Sequence, residues 1–215
     1  MKRVASLLVG ALLLAGCSRV NLGVKGDGII KTETRAIGDF SKIAVSGAYE
    51  VQWSHGQPGL TITTDENVLP HITTTLSGAT LTIDADDNLF PSKNTVVVVS
   101  SGTLAEARTT GAVTLKATQV AGDALKLECT GASSVTIDGT TGNLEASLTG
   151  AGRLNARSLP AKTATVSVTG AANAEVNVSD ALKVSVTGAG TVTYSGNPKT
   201  VDKTVTGAGT VHARP

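Results

Sequence analysis

A tripeptide that returns every nineteen residues or so constrains this chain more than any other feature. Thr-Gly-Ala begins at Thr110, Thr130, Thr149, Thr169, Thr187 and Thr206, at steps of 20, 19, 20, 18 and 19 residues. A repeat this short cannot bury an apolar face alone, so its copies must stack on one another into a solenoid. Aligned on the glycine, the copies show columns of like residues. Two before it stand Cys129, Leu148, Val168, Val186 and Val205. Four before it stand Leu127, Ala146, Val166 and Val184; six before it, Leu125, Leu144, Ala164, Leu182 and Val201. Four after it come Leu115, Val135, Leu154, Ala174, Val192 and Val211.

Within a copy the apolar residues alternate, as in Leu182-Lys183-Val184-Ser185-Val186-Thr187. Period two lines one face of a strand, whereas a helix would scatter these side chains around its axis. The expected fold is all-β, a parallel β-helix whose rungs are about 19 residues long. Connections between parallel strands of one sheet are overwhelmingly right-handed, so the coil should be right-handed. The Gly-Ala pair should mark a recurring corner, where Gly tolerates backbone angles that other residues resist.

Regular rungs run from about residue 105 to 215. Before them, Ser46-Gly47-Ala48 keeps the same offsets to Ile43, Val45, Val51 and Trp53, and Ser77-Gly78-Ala79 reads as a degenerate copy. Val96 to Val99 is expected as a buried strand, with 65–71 and 84–94 as longer insertions. At the far end Lys203 stands in the inward column, followed by His212, Arg214 and Pro215. Charges and proline blunt a sheet edge, so this rung is expected to be a cap.

The start of the chain has another logic. Met1-Lys2-Arg3 is a short basic region and Val4 to Leu14 an apolar run, the order of a secretory leader. Leu14-Ala15-Gly16-Cys17 resembles the lipobox of bacterial lipoproteins. That resemblance implies cleavage between Gly16 and Cys17, diacylglyceryl transfer to the Cys17 thiol, and acylation of the new amino terminus. Two or three acyl chains anchor stably where one does not. Ser18, rather than Asp, resembles the signal for default sorting to the outer membrane. The expected divisions are a leader over 1–16, the acylated Cys17 with a flexible tether over 17–34, and the β-helix over 35–215.

Composition excludes several classes of function. A formal net charge of +1 supplies no basic field for nucleic acid. Phe40, Phe90, Trp53, Tyr49 and Tyr194 are the only aromatic residues, too few for base stacking or for a glycan site built on several rings.

The order of parts resembles one known family. A lipobox, a tether, the phrase Phe40-Ser41-Lys42-Ile43-Ala44-Val45-Ser46-Gly47 and the run of Thr-Gly-Ala rungs are similar to the GIN-type head domain of auto-transporter adhesins, over roughly 35–215. The resemblance implies a parallel β-helix in the cell envelope and carries over no catalytic residue.

Candidate chemistry is sparse. Gly150-Ala151-Gly152, Gly188-Ala189-Gly190 and Gly207-Ala208-Gly209 lack the third glycine of a dinucleotide loop and the Gly-Lys-Ser/Thr of a P-loop. They recur with the rung period, so they read as corners. Asp84, Asp86 and Asn88 imitate the opening of an EF-hand, but Leu89 stands where Gly is needed and Thr95 where Glu is needed. His55, His71 and His212 are isolated, so no metal site and no cofactor is expected. Cys129 sits in an apolar column and reads as a buried hydrophobe. The acids Glu128, Asp138, Glu145, Glu175 and Asp180 fall at different offsets and make no catalytic pair.

One pattern is a candidate binding face. Outward positions before the glycine form a double column, Ser147/Thr149, Ser167/Thr169, Ser185/Thr187 and Thr204/Thr206. Stacking would turn it into a flat hydroxyl surface suited to a repetitive polar target such as a glycan. Ser and Thr are equally good residues for pairing across a β-surface. The sequence thus points to a non-catalytic, lipid-anchored, adhesin-like module for a glycan or an envelope protein. A purely structural envelope scaffold is the alternative, and a polysaccharide-active β-helix enzyme ranks last.

Overall fold

Over residues 114–188 each corner-to-corner repeat folds as a single long, bent strand, and these strands stack in parallel. The computed structural model describes residues 23–214; the leader, the Gly16/Cys17 cleavage site and the Cys17 acylation site lie outside the described residues. Chain order gives β1 (Val24–Lys25), β2 (Ile30–Arg35), β3 (Lys42–Gly47), β4 (Tyr49–His55), β5 (Gly59–Asp65), β6 (Ile72–Ser77), β7 (Thr80–Ala85), β8 (Leu89–Phe90) and β9 (Thr95–Ser101). Then come β10 (Glu106–Gly111), β11 (Thr114–Gly131), β12 (Ser134–Gly150), β13 (Arg153–Gly170), β14 (Asn173–Gly188), β15 (Thr191–Ser195), β16 (Thr200–Gly207) and β17 (Thr210–Ala213).

The solenoid has two main faces. On the face leading into the glycine corner the order is β6-β7-β3-β10-β11-β12-β13-β14-β16. On the face leaving it, β2-β5-β9-β4 lead into the first halves of β11 to β14, followed by β15 and β17. Every pair from β7 onward on the first face is parallel and every glycine meets a glycine: Gly47, Gly111, Gly131, Gly150, Gly170, Gly188 and Gly207 form one continuous ladder. On the side away from this corner the register slips, between Ala117 and Val120, Thr136 and Asp138, and Ala156 and Pro160. There the long strands bend to close the coil.

The core is the set of apolar columns expected from the repeat. Leu125, Leu127, Leu144, Ala146, Leu148, Ala164, Val166, Val168, Leu182, Val184 and Val186 are buried from one face. Leu115, Val135, Leu154, Ala174 and Val192 are buried from the other.

The first third departs from simple stacking. β3 and β4 pair directly with β10 and β11, while β7 and β9, later in sequence, lie on their far side. The chain completes one rung, goes out to build the rung beyond it, and returns. Antiparallel partners close that far end, β6 on β7, β5 on β9 and β2 on β5. Three expectations change here. Ser77-Gly78-Ala79 is no rung corner: Ser77 pairs with Thr80 and Gly78 has φ of 56°, so this is a tight hairpin turn. Val96 to Val99 is half buried, because alternation sends Val98 outward at 44% exposure. Much of the expected tether is ordered: β1 pairs with β8 and β2 with β5. Those contacts join residues distant in sequence, so no local pattern within 23–34 announces them.

Candidate functional site

The eight predicted hydroxyl residues fall into register. Ser147, Ser167, Ser185 and Thr204 are successive Cα partners, as are Thr149, Thr169, Thr187 and Thr206. Alternation forces this: each inward Leu or Val column fixes its neighbours outward. Seven of the eight are exposed and Ser167 is half-buried.

Pairing across strands, the alternative use for such residues, is made elsewhere in the molecule but not by these eight. Thr32 and Thr63 share a hydroxyl contact at 2.9 Å, Thr64 and Thr95 one at 2.9 Å, and Thr210 and Thr191 one at 3.3 Å. None of the eight ladder hydroxyls has a hydrogen-bond partner among the described residues. They keep their donor and acceptor capacity for solvent or a ligand.

Two further outward columns adjoin the ladder. Asn143, Thr163, Ala181 and Thr200 are in register, and so are Lys126, Glu145, Thr165, Lys183 and Asp202. A shallow depression of about 390 Å³ opens here, lined by Asn143, Thr163, Thr165, Lys183, Thr200 and Asp202 among others. Thr163 donates to Asn143 Oδ1 at 2.9 Å. Counting back five and seven residues from each glycine would have found these positions, but their mixed chemistry hid the column.

Towards the N-terminal end the hydroxyls give way to charge. Lys42 meets Glu106 at 3.1 Å, Arg108 meets Glu128 at 2.7 Å, and Lys126 meets Glu128 at 2.8 Å. The Lys42 ammonium holds the Glu106 carboxyl below the usual range, by hydrogen bond and then by charge, with Arg108 and Lys126 adding to it. Three of the other acids are also engaged. Glu175 lies between Arg157 at 2.8 Å and Arg214 at 3.2 Å, Asp180 pairs with Lys199 at 2.8 Å, and Asp138 accepts from the Gln119 amide at 2.7 Å.

Among the described residues no three His, Cys, Asp or Glu side chains gather as metal ligands. Asp86 contacts His71 at 3.1 Å and Asp84 accepts from the Ala85 amide, while His212 contacts Thr193 at 3.1 Å. Cys129 is buried, and that burial pushes its thiol pKa up. This is the environment of an inert cysteine.

Several solved structures share this fold. A putative adhesin from Bacteroides fragilis superposes with a TM-score of 0.71 at 19% identity, covering 89% of this chain and 100% of that one. A putative adhesin from Parabacteroides merdae gives 0.58 at 22% identity, over 89% and 99%. A protein from Parabacteroides distasonis described as a putative lipid binding protein gives 0.55 at 20% identity, over 89% and 99%. At these identities the likeness is one of fold. No curated protein matches the chain. Residues 39–198 match the family described as "Putative auto-transporter adhesin, head GIN domain", from just before the Phe40–Gly47 phrase to the turn between β15 and β16. The chain belongs to that GIN head-domain family.

Proposed function

We propose that this chain is a non-catalytic binding module of the bacterial envelope, anchored through Cys17, whose hydroxyl ladder holds a glycan. The observation that carries the reading is the set of ladder hydroxyls in register with no partner among the described residues. A glycan presents hydroxyls that both donate and accept, as Ser and Thr do. A surface repeated once per rung meets a repeating polymer with many weak contacts, which add through effective concentration. The depression beside the ladder, with Asn143, Lys183 and Asp202, gives this otherwise uniform face an edge that distinguishes one sugar substituent from another. The family and the neighbours named as adhesins support a binding role. The lipobox, read from sequence, supplies the envelope address.

The test uses residues 18–215 with isolated envelope and surface polysaccharides, beside a Thr149/Thr169/Thr187→Lys variant of matched melting temperature. Saturable binding by the parent, weakened about tenfold or more in the variant, is expected, since three desolvated contacts of about 0.5 kcal/mol or more are removed. Absence of binding by either chain overturns the glycan reading in favour of a structural scaffold. Equal binding by both places the site elsewhere. The anchor is tested separately: Cys17→Ala should move the protein out of the membrane fraction.

A further inference from the structure

We infer that the N-terminal end of the solenoid, carrying Ile29, Ile30 and Phe90, docks on the lipid surface itself and orients the coil there. The inference rests on the Cys17 anchor reading and adds a second, independent contact with the bilayer. Most of the large apolar side chains of the described residues are buried. Of the six that are strongly exposed, three lie on this one end: Ile29 at 60%, Phe90 at 57% and Ile30 at 39%.

They are brought together by Asp65, which is fully buried. Its carboxylate accepts from the amide of Gly28 at 2.7 Å, the amide of Ser92 at 2.8 Å and the hydroxyl of Ser92 at 2.6 Å. Gly26 donates to the Phe90 carbonyl at 2.9 Å, and the Ile29 carbonyl accepts from Glu66 at 2.8 Å. One side chain therefore clamps the segments bearing all three apolar residues. Ile30 opens β2, the outermost strand on its face of the stack.

The occupant follows from where the chain enters. Gly23 lies against the Phe90 ring, so closely that a Cβ there would stand 2.8 Å from it. Cys17 precedes Gly23 by six residues. Fully extended, that segment spans about 20 Å, so acyl chains on Cys17 hold this end of the domain against the bilayer and no other. Exposed Ile and Phe in that position partition into the interface. Charge does not drive the contact, because Lys25, Lys31 and Lys93 are interspersed there with Asp27, Glu66 and Asp87, leaving no cationic patch, and Lys31 is already paired to Glu66 at 2.6 Å. Neutral lipid is the partner this surface fits.

The experiment couples Cys17 of residues 17–215 to a maleimide-headgroup lipid in phosphatidylcholine vesicles; Cys129, being buried, is left unmodified. In a Phe90→Trp variant, brominated acyl chains should quench emission beyond the quenching of the parent, whose Trp53 is 1% exposed. Ile29→Ser in that background should lower the ratio of docked to free protein about tenfold. Adding phosphatidylglycerol should change little. Quenching no greater than in the parent, or docking that needs anionic lipid, overturns the inference. Synthetic coupling supplies the tether whether or not cells acylate Cys17. The intact mass of the protein recovered from its own membranes reads that question separately.

Discussion

Seven glycines in one ladder set the geometry of the corner, and each is required twice over. Their φ angles run from 98° to 129°, a region that L side chains rarely adopt. From Gly111 to Gly207, an added Cβ would also stand 2.5–2.7 Å from the carbonyl oxygen of the glycine in the neighbouring rung. Gly170→Ala should therefore cost about 2–3 kcal/mol or more, from backbone strain alone. Gly122→Ala, where φ is not positive and an added Cβ would come no closer than 3.9 Å to the Ala124 carbonyl oxygen, should stay within about 0.5 kcal/mol. Chemical denaturation of the two variants beside the parent checks the contrast. The second glycine of Gly188-Ala189-Gly190 has a different cause: a Cβ on Gly190 would meet Val168 Cγ1 at 2.5 Å. Thr109 is a flaw in the same core. It faces inward between Val45 and Cys129, and its hydroxyl has no hydrogen-bond partner. Thr109→Val keeps the shape and removes the unpaired hydroxyl, so it should stabilise the domain by about 1 kcal/mol, read from the same denaturation curves.

At the scale of elements, the rung is legible in the sequence and the N-terminal rungs are only partly so. β11 to β14 repeat one pattern, so aligning on the glycine predicts their register, confirmed residue by residue from Leu125 and Leu144 to Val186 and Val205. Ile43, Val45, Val51 and Trp53 were legible for the same reason. Hairpin β6–β7 was not, because Ser77-Gly78-Ala79 satisfies a two-residue turn as well as a corner. Nor was Asp65, which looks like the edge of an insertion until its partners arrive from residues 28 and 92. Ser92's hydroxyl, above all, and the backbone amides hold the Asp65 carboxyl below its ordinary pKa. A lowered folded pKa stabilises fully above the unfolded value of about 3.9, and the contribution is lost as pH falls below that towards the folded value. Amide exchange, corrected for intrinsic rates, should therefore show Gly28 and Ser92 losing protection below about pH 4, while ladder amides such as Val166 and Val184 keep theirs. Parallel loss across both sets would mean that the clamp is not a local device.

The whole molecule faces the problem common to every solenoid, two ends at which the core stops. Both are closed by an inward cation. At the N-terminal end Arg35 lies in β2 opposite buried Leu60 and donates to the carbonyls of Ile72 at 2.6 Å and Leu69 at 3.1 Å, with Glu33 at 2.7 Å. At the other end Lys203 occupies the place that Val184 holds one rung earlier, and its ammonium lies 5.0 Å from the Tyr194 ring centroid. The edge strands β16 and β17 remain unpaired beyond it, with Val205 at 42% exposure. An inward charge at an edge blocks pairing with another chain. Lys203→Val should extend the apolar column to the end of the stack and promote concentration-dependent self-association in sedimentation velocity. A variant that stays monomeric at the parent's concentrations would show that the edge is protected by something else.

The sequence by itself determined the rung, the parallel stack, the buried columns and the outward hydroxyl double column. All of these follow from local alternation and a fixed period, which any copy of the repeat displays. Family membership was legible for the same reason, since it rests on the repeat as a whole. The tertiary structure alone decided that β3 and β4 pair with β10 and β11 rather than with their neighbours in sequence. It also decided that residues 24–35 are drawn into the cap, and that the ladder hydroxyls find no partner among the described residues. These outcomes depend on contacts between segments tens of residues apart and on distances of a few tenths of an ångström, neither of which a linear pattern encodes.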